Sequence, residues 1–146
     1  MQDSSSRFFD AHTHVNFAAF EKDYKEVINR ALEAGVWMVN VGTQEDTSRR
    51  AVEIAHEYKE GVYATVGLHP IHTIKSFHDE DELGGDESAK GFSSRGEEFN
   101  YEAYKKLAED PKVVAIGECG LDYFRATDEE AKRRQKEVFL KQIELA

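Results

Sequence analysis

Two rhythms of apolar and polar positions alternate along this chain. The run VWMVNVG (36–42) is continuously apolar, as in a strand buried on both faces, and VYATVG (62–67) repeats it. RFFDA reads as an earlier strand entering HTHVNF, and VVAIGECG (113–120) as a fourth. Between them the period lengthens. In EKDYKEVINRALEAG the residues Tyr24, Val27, Ile28, Ala31 and Leu32 recur at helical spacing, and Gly35 stands where a C-cap would. TQEDTSRRAVEIAHEYKEG puts Ala51, Ile54, Ala55 and Tyr58 on one helix face, ended by Gly61. FNYEAYKKLAEDP predicts a third helix stopped by Pro111, and TDEEAKRRQKEVFLKQIELA a fourth, with Thr127 and Glu130 outlining a capping box.

The predicted order is βαβαβαβα. Strands separated by helices pair in parallel, so the fold class is α/β, either an open sheet or part of a barrel. One stretch breaks the rhythm. Residues 74–98 are acidic, rich in Gly and Ser and poor in apolar periodicity, and read as a mobile insertion in the loop after the third strand rather than as a separate domain.

Composition narrows the class. The 146 residues suit one domain. No apolar run is long enough to span a membrane, and the N-terminus lacks the basic and apolar regions of a secretory signal. The single cysteine, Cys119, excludes an intrachain disulfide and fits a cytoplasmic setting. A net charge of −10 is the wrong sign for gripping nucleic acid with a basic surface. A phosphate substrate would need bound cations to supply positive charge.

In α/β folds, sites form at the carboxyl ends of strands. There the sequence places His12 and His14, then Asn40 and Thr43, then His69 and His72, then Glu118, Cys119 and Asp122. Residues i and i+2 of a strand point the same way, so His12 and His14 send two imidazoles toward one point, where one cation could accept both. The alternative is two polar side chains in a solvated loop. Glu118 at a buried strand end needs a partner, either a metal or a base such as Arg125. Asp122 has the same choice, leaning toward a pair with Arg125. His69, before Pro70, is either a substrate-phosphate or metal-side residue or a surface cap. Asp10 is a buried hydrogen-bonding anchor or an orienter of a ligand histidine. His56, His72 and His78 are given no role, and Cys119 reads as a small buried residue.

Together FFDAHTHVNF, VGLHP and AIGECGLDYFR resemble the TatD-type metal-dependent hydrolases, in order and spacing, across all but the 74–98 insertion. The resemblance implies a TIM barrel of the amidohydrolase kind with one or two divalent cations (Zn, Mg or Mn), hydrolysing phosphodiester bonds of DNA by a metal-activated water. Carried over by position, His12, His14 and Glu118 are metal ligands, Glu118 bridges and is also catalytic, and His69 lies near the site. Asp122, Arg125 and Asp10 are candidates for substrate contact or support. A full barrel of this kind has eight strands and typically ~250 residues. Four βα units make the chain the N-terminal half, (βα)4, of a barrel with its helices outside. The family's two later histidines and an aspartate are not in this sequence, so the chain by itself is expected to be weakly active or inactive. Two other readings are a metal-dependent hydrolase of small esters or amides, and a non-catalytic half-barrel that self-associates through its open inner face.

Overall fold

The computed structural model describes residues 8–77 and 93–146. Strand β1 (Phe8–Thr13) leads through a 3-10 turn to helix α1 (Tyr24–Glu33), followed by β2 (Val36–Val41), α2 (Glu45–His56) and β3 (Val62–Val66). Two short strands, β4 (Lys75–Phe77) and β5 (Ser93–Arg95), precede α3 (Tyr101–Ala108), β6 (Val113–Ile116) and α4 (Glu129–Leu145). The main sheet has the order β1-β2-β3-β6, every pair parallel, as the alternation of strands and helices requires.

On one face of β3, Val62, Ala64 and Val66 are fully buried and join Met38, Ile28, Ala51, Ile54, Ala55 and Tyr104 in the core. The opposite face carries Tyr63, whose ring meets those of Phe9 and Trp37 at 6.1 and 6.2 Å. The outer strands are less covered than a parallel sheet normally allows: Phe8 is 67%, Phe9 50% and Val114 54% exposed.

Several boundaries differ from expectation. The helix predicted to end at Gly61 ends at His56, and Gly61 (φ 81°) turns the chain into β3 instead. Gly35 does stand just past α1, at φ 75°. Asp128, rather than Thr127, caps α4, because its carboxylate accepts the Ala131 amide at 2.8 Å. The fourth strand of the main sheet is only Val113–Ile116, so Gly117–Gly120 lie beyond the ladder. The insertion is not structureless at its ends, since β4 and β5 pair antiparallel over Lys75–Arg95 to Phe77–Ser93. Its middle, with His78, lies outside the described residues. Among the described residues no helix is long and apolar enough to cross a membrane.

Candidate metal centre

Strand β1 extends through His12, further than RFFDA suggested, and carries an irregularity that aims the histidines. Asp10 pairs with Met38 and Thr13 with Asn40, so β1 takes three steps where β2 takes two. Such a one-residue bulge re-aims the side chains that follow it. Thr13 fixes the register after the bulge by donating its hydroxyl to the Val39 carbonyl (3.0 Å) and to Asn40 Oδ1 (2.8 Å). Asn16, buried, donates its amide to the Val41 and Thr47 carbonyls and binds the loop to β2 and α2.

The result is a tight triangle. His12 Nε2 and His14 Nε2 lie 3.2 Å apart, and Glu118 Oε2 is 3.4 Å from the first and 3.8 Å from the second. Ligands held at 2.0–2.1 Å from a tetrahedral cation are about 3.3 Å from one another. Three ligand atoms therefore stand at the spacing of one face of a coordination shell, and this trio is the cluster of metal-binding type among the described residues.

Protons are arranged to match. His14 Nδ1 faces the Val41 carbonyl at 3.2 Å. A carbonyl only accepts, so Nδ1 carries the proton and Nε2 presents its lone pair to the centre, the usual support of a metal-binding histidine. Burial lowers the His14 pKa below its ordinary 6.5, outweighing the bond to Val41 and favouring the neutral, ligating form. Phe17 stacks on this imidazole with ring centres 4.4 Å apart, which holds its plane. Around Glu118 the hydrogen bond from His69 is the largest influence and, against burial, holds the carboxyl below its ordinary 4.5. The carboxylate is thus charged and ready to ligate.

His69 does not join the triangle through a free lone pair. Its Nδ1 accepts the Ile71 amide at 3.2 Å, so the proton sits on Nε2, which donates to Glu118 Oε1 at 3.3 Å. One carboxylate oxygen is occupied by His69 while the other faces the two histidines. The Glu118 amide donates to the Gly42 carbonyl (2.9 Å), and that of Gly117 to the Val66 carbonyl (3.0 Å), so the ends of β2 and β3 hold the segment in place. Gly67 is required here, because a Cβ on it would come within 2.7 Å of the Gly117 carbonyl carbon. Thr43 also contributes through its backbone, its carbonyl accepting the His69 amide at 2.9 Å.

The other sequence candidates lie around this centre. Asp10 is exposed rather than a buried anchor, and its carboxylate accepts the His12 amide at 3.1 Å. Arg125 pairs with Asp122 at 2.8 Å, not with Glu118. Burial acts most strongly on Asp122 and pushes its pKa up. The hydrogen bonds from the Arg125 side chain and backbone, with that cation's charge, together outweigh burial and hold the carboxyl below its ordinary 3.8. Cys119 is half-buried, and burial raises its thiol pKa, the opposite of an activated nucleophile. His56 does have a partner, Asp110 at 2.8 Å, which ties α2 to the turn before β6. His72 is buried beside His69, their rings 6.1 Å apart, rather than lying out in the loop.

Sequence reasoning missed two glutamines. On α4, Gln142 accepts the Leu68 amide (2.8 Å) and donates to the Leu68 carbonyl (3.0 Å). Gln135 accepts the Asp122 amide (2.8 Å) and donates to the Pro70 and Asp122 carbonyls (3.3 Å each). Both are 1% exposed. The available signal was the spacing of Ala131, Gln135, Val138 and Gln142, a helical stripe that is half polar.

Comparison with known proteins is consistent along nearly the whole chain. The family described as TatD related DNase matches residues 9–146. The metal-dependent hydrolase YabD of Bacillus subtilis (strain 168) is 38% identical over 139 residues, covering 94% of this chain and 46% of YabD. The 3'-5' ssDNA/RNA exonuclease TatD of Yersinia pseudotuberculosis serotype O:3 (strain YPIII) is 35% identical over 139 residues, covering 94% of this chain and 45% of that protein. The crystal structure of YJJV, a TatD homologue from Escherichia coli K12, superposes with a TM-score of 0.66 at 27% identity, over 97% of this chain and 47% of that one. An amidohydrolase from Saccharomyces cerevisiae shares the fold at a TM-score of 0.61 and 20% identity. The chain spans about half the length of the relatives it matches.

Proposed function

The chain belongs to the TatD-related DNase family, and from that premise we propose that His12, His14 and Glu118 hold a divalent cation that serves hydrolysis of phosphodiester bonds in DNA. The observation that carries this reading is the triangle of 3.2, 3.4 and 3.8 Å between their ligand atoms. The donor set of two imidazoles and a carboxylate suits Zn or Mn, with Mg the hard-cation alternative. A bound cation would supply Lewis-acid chemistry, polarising a phosphoryl oxygen and acidifying a water. It would also give an acidic chain the local positive charge that a phosphate requires.

The chain's own residues have separate tasks in this proposal. His14 orients its lone pair by donating to Val41, and Phe17 keeps that ring from turning. His69 fixes the Glu118 carboxylate through Oε1 and leaves Oε2 for the cation. Asp122 and Arg125 stand as a fixed ion pair on the segment that follows Glu118. A proton acceptor and further ligands come, in this proposal, from strands that the matched half of the relatives does not include. The 146-residue chain therefore binds the cation but cleaves weakly or not at all.

Calorimetric titration of the chain with zinc or manganese tests the site, and incubation with a single-stranded DNA oligonucleotide tests the reaction. One cation per chain is expected, with affinity reduced at least about tenfold by His12→Ala. Equal binding by the two proteins overturns the assigned site. Robust DNA cleavage that His12→Ala abolishes overturns the expected inactivity, while turnover of a small ester without oligonucleotide cleavage overturns the substrate class.

A further inference from the structure

Five and six residues beyond Glu118 the chain presents aromatic rings to solvent from a hydrogen-bonded support. Asp122 anchors that support through its amide, carbonyl and carboxylate. Its amide is accepted by Gln135 Oε1, its carbonyl accepts Ala126 N–H at 3.0 Å, and its carboxylate accepts both the Arg125 amide (3.1 Å) and the Arg125 guanidinium (2.8 Å). Ala126 is 1% exposed, so the turn is pinned at both ends. Between these pins Tyr123 is 43% and Phe124 87% exposed, the latter the most exposed of the large apolar residues among those described. A flexible loop would fold such a ring inward, whereas this turn holds it out.

The base of the turn lies beside the residue after His69, and its tip is flanked by two cations. The Gln135 side-chain amide donates to both the Asp122 and Pro70 carbonyls at 3.3 Å, which brings the turn against the residue following His69. The Arg125 guanidinium lies 5.9 Å from the Phe124 ring centre, and the Lys132 ammonium 5.8 Å from that of Tyr123. Each cation is also paired with a carboxylate, Arg125 with Asp122 and Lys132 with Glu129 at 2.8 Å each, so what the tip offers a nucleobase is a ring beside an ion pair, repeated twice.

We propose that the Tyr123–Phe124 tip is a stacking platform for a base of single-stranded nucleic acid. The proposal rests on the nucleic-acid reading above and assigns to named residues the selection of single strands. In a duplex each base is already stacked on its neighbours and offers only its edge to a groove, so a free ring gains nothing from it. An unpaired base can leave its neighbour for Phe124.

The test measures binding rather than cleavage. The 146-residue chain, which by the reading above cleaves weakly or not at all, is titrated in magnesium against a fluorescent single-stranded deoxyadenosine decamer, and anisotropy is recorded. Adding Phe124→Ala is expected to raise Kd about 5- to 150-fold, the range for removing one base–aromatic stack. Phe124→Trp restores binding. On a decamer of abasic sites, Phe124→Ala changes Kd less than about twofold, because no base remains to stack. Unchanged binding of the deoxyadenosine decamer by Phe124→Ala overturns the platform alone, and so does an equal loss on the abasic probe, which would make the effect one of shape or charge. If the parent binds neither probe, the nucleic-acid reading itself fails and takes the platform with it. The ring's exposure keeps the substitution clear of the core, and far-ultraviolet circular dichroism confirms the fold in each variant.

Discussion

Helices α2 and α4 occupy equivalent places, each after a strand of the same parallel sheet, yet α2 buries a mainly apolar face and α4 one that is half polar. α2 buries Ala51, Val52, Ile54 and Ala55, with one polar residue, Ser48, whose hydroxyl bonds the Gly67 backbone. α4 buries Ala131, Gln135, Val138 and Gln142, and leaves Leu140 and Ile143 60% and 55% exposed. The difference follows from what each helix touches. α2 lies on β3, whose inward residues are Val62, Ala64 and Val66, and hydrocarbon meets hydrocarbon. α4 lies against chain that has left the ladder, at Leu68, Pro70 and Asp122, where amides and carbonyls have no strand to pair with. Buried backbone groups must find partners, and a glutamine amide supplies one donor and one acceptor in the same reach. α2 mainly stabilises the sheet, with Ser48 and Thr47 touching the loops, whereas α4 chiefly fixes the loops from which His69 and Glu118 extend.

The contrast can be broken at its apolar end first. Ile54→Ala opens a cavity in the core and is expected to cost about 2–5 kcal/mol of stability. Zinc affinity of the molecules that remain folded should not change, as urea unfolding and calorimetry would show. A loss of affinity at low denaturant would mean that α2 also shapes the site. Gln142→Leu keeps volume but orphans the Leu68 amide and carbonyl, at about 1–3 kcal/mol. Here metal affinity should fall as well, because the residue after Leu68 is His69. Unaltered affinity would reduce α4 to ordinary packing.

The smallest effect is a pH slope at the start of α2. Glu97 accepts the Tyr104 hydroxyl at 2.6 Å and faces the Glu45 amide at 3.3 Å. Burial, the largest influence, raises its pKa above the ordinary 4.5. The folded chain therefore holds this proton at pH values where the unfolded chain has released it. Its contribution to stability falls as pH rises from about 4.5 through the folded pKa and is constant above. Asp110 and Glu118, whose pKa values are lowered, act in the opposite sense and below their ordinary values. Glu97→Gln should remove the decline above pH 4.5 and leave the acid limb intact in urea midpoints taken from pH 3 to 7. A decline that persists in the variant would assign it to another group.

The same contrast explains what could be read from the chain alone. β2, β3, α1 and α2 were legible because their neighbours are apolar and burial writes itself into the period of hydrophobic residues. The His12–His14 pair and Glu118 could be singled out because residues i and i+2 of a strand point to one side and a carboxylate after an apolar run is costly without a partner. Gln135 and Gln142 carry no such mark, since a glutamine on a helix is usually a solvated one. The hairpin of β4 and β5 escaped notice because three residues a side give too few positions for alternation to show. The bulge in β1 was hidden as well, because register depends on the partner strand.

That bulge makes chain length, more than residue identity, the sensitive variable near the metal centre. Removing Ala11 would let β1 and β2 run in step from Asp10–Met38 to Thr13–Asn40. The bulge that re-aims His12 would then be lost, with both histidines and Glu118 still present in the chain. Deletion of the Ala11 codon should therefore weaken zinc binding in calorimetry while many substitutions at Ala11 are tolerated, which would show the histidines to be set by counting as much as by chemistry.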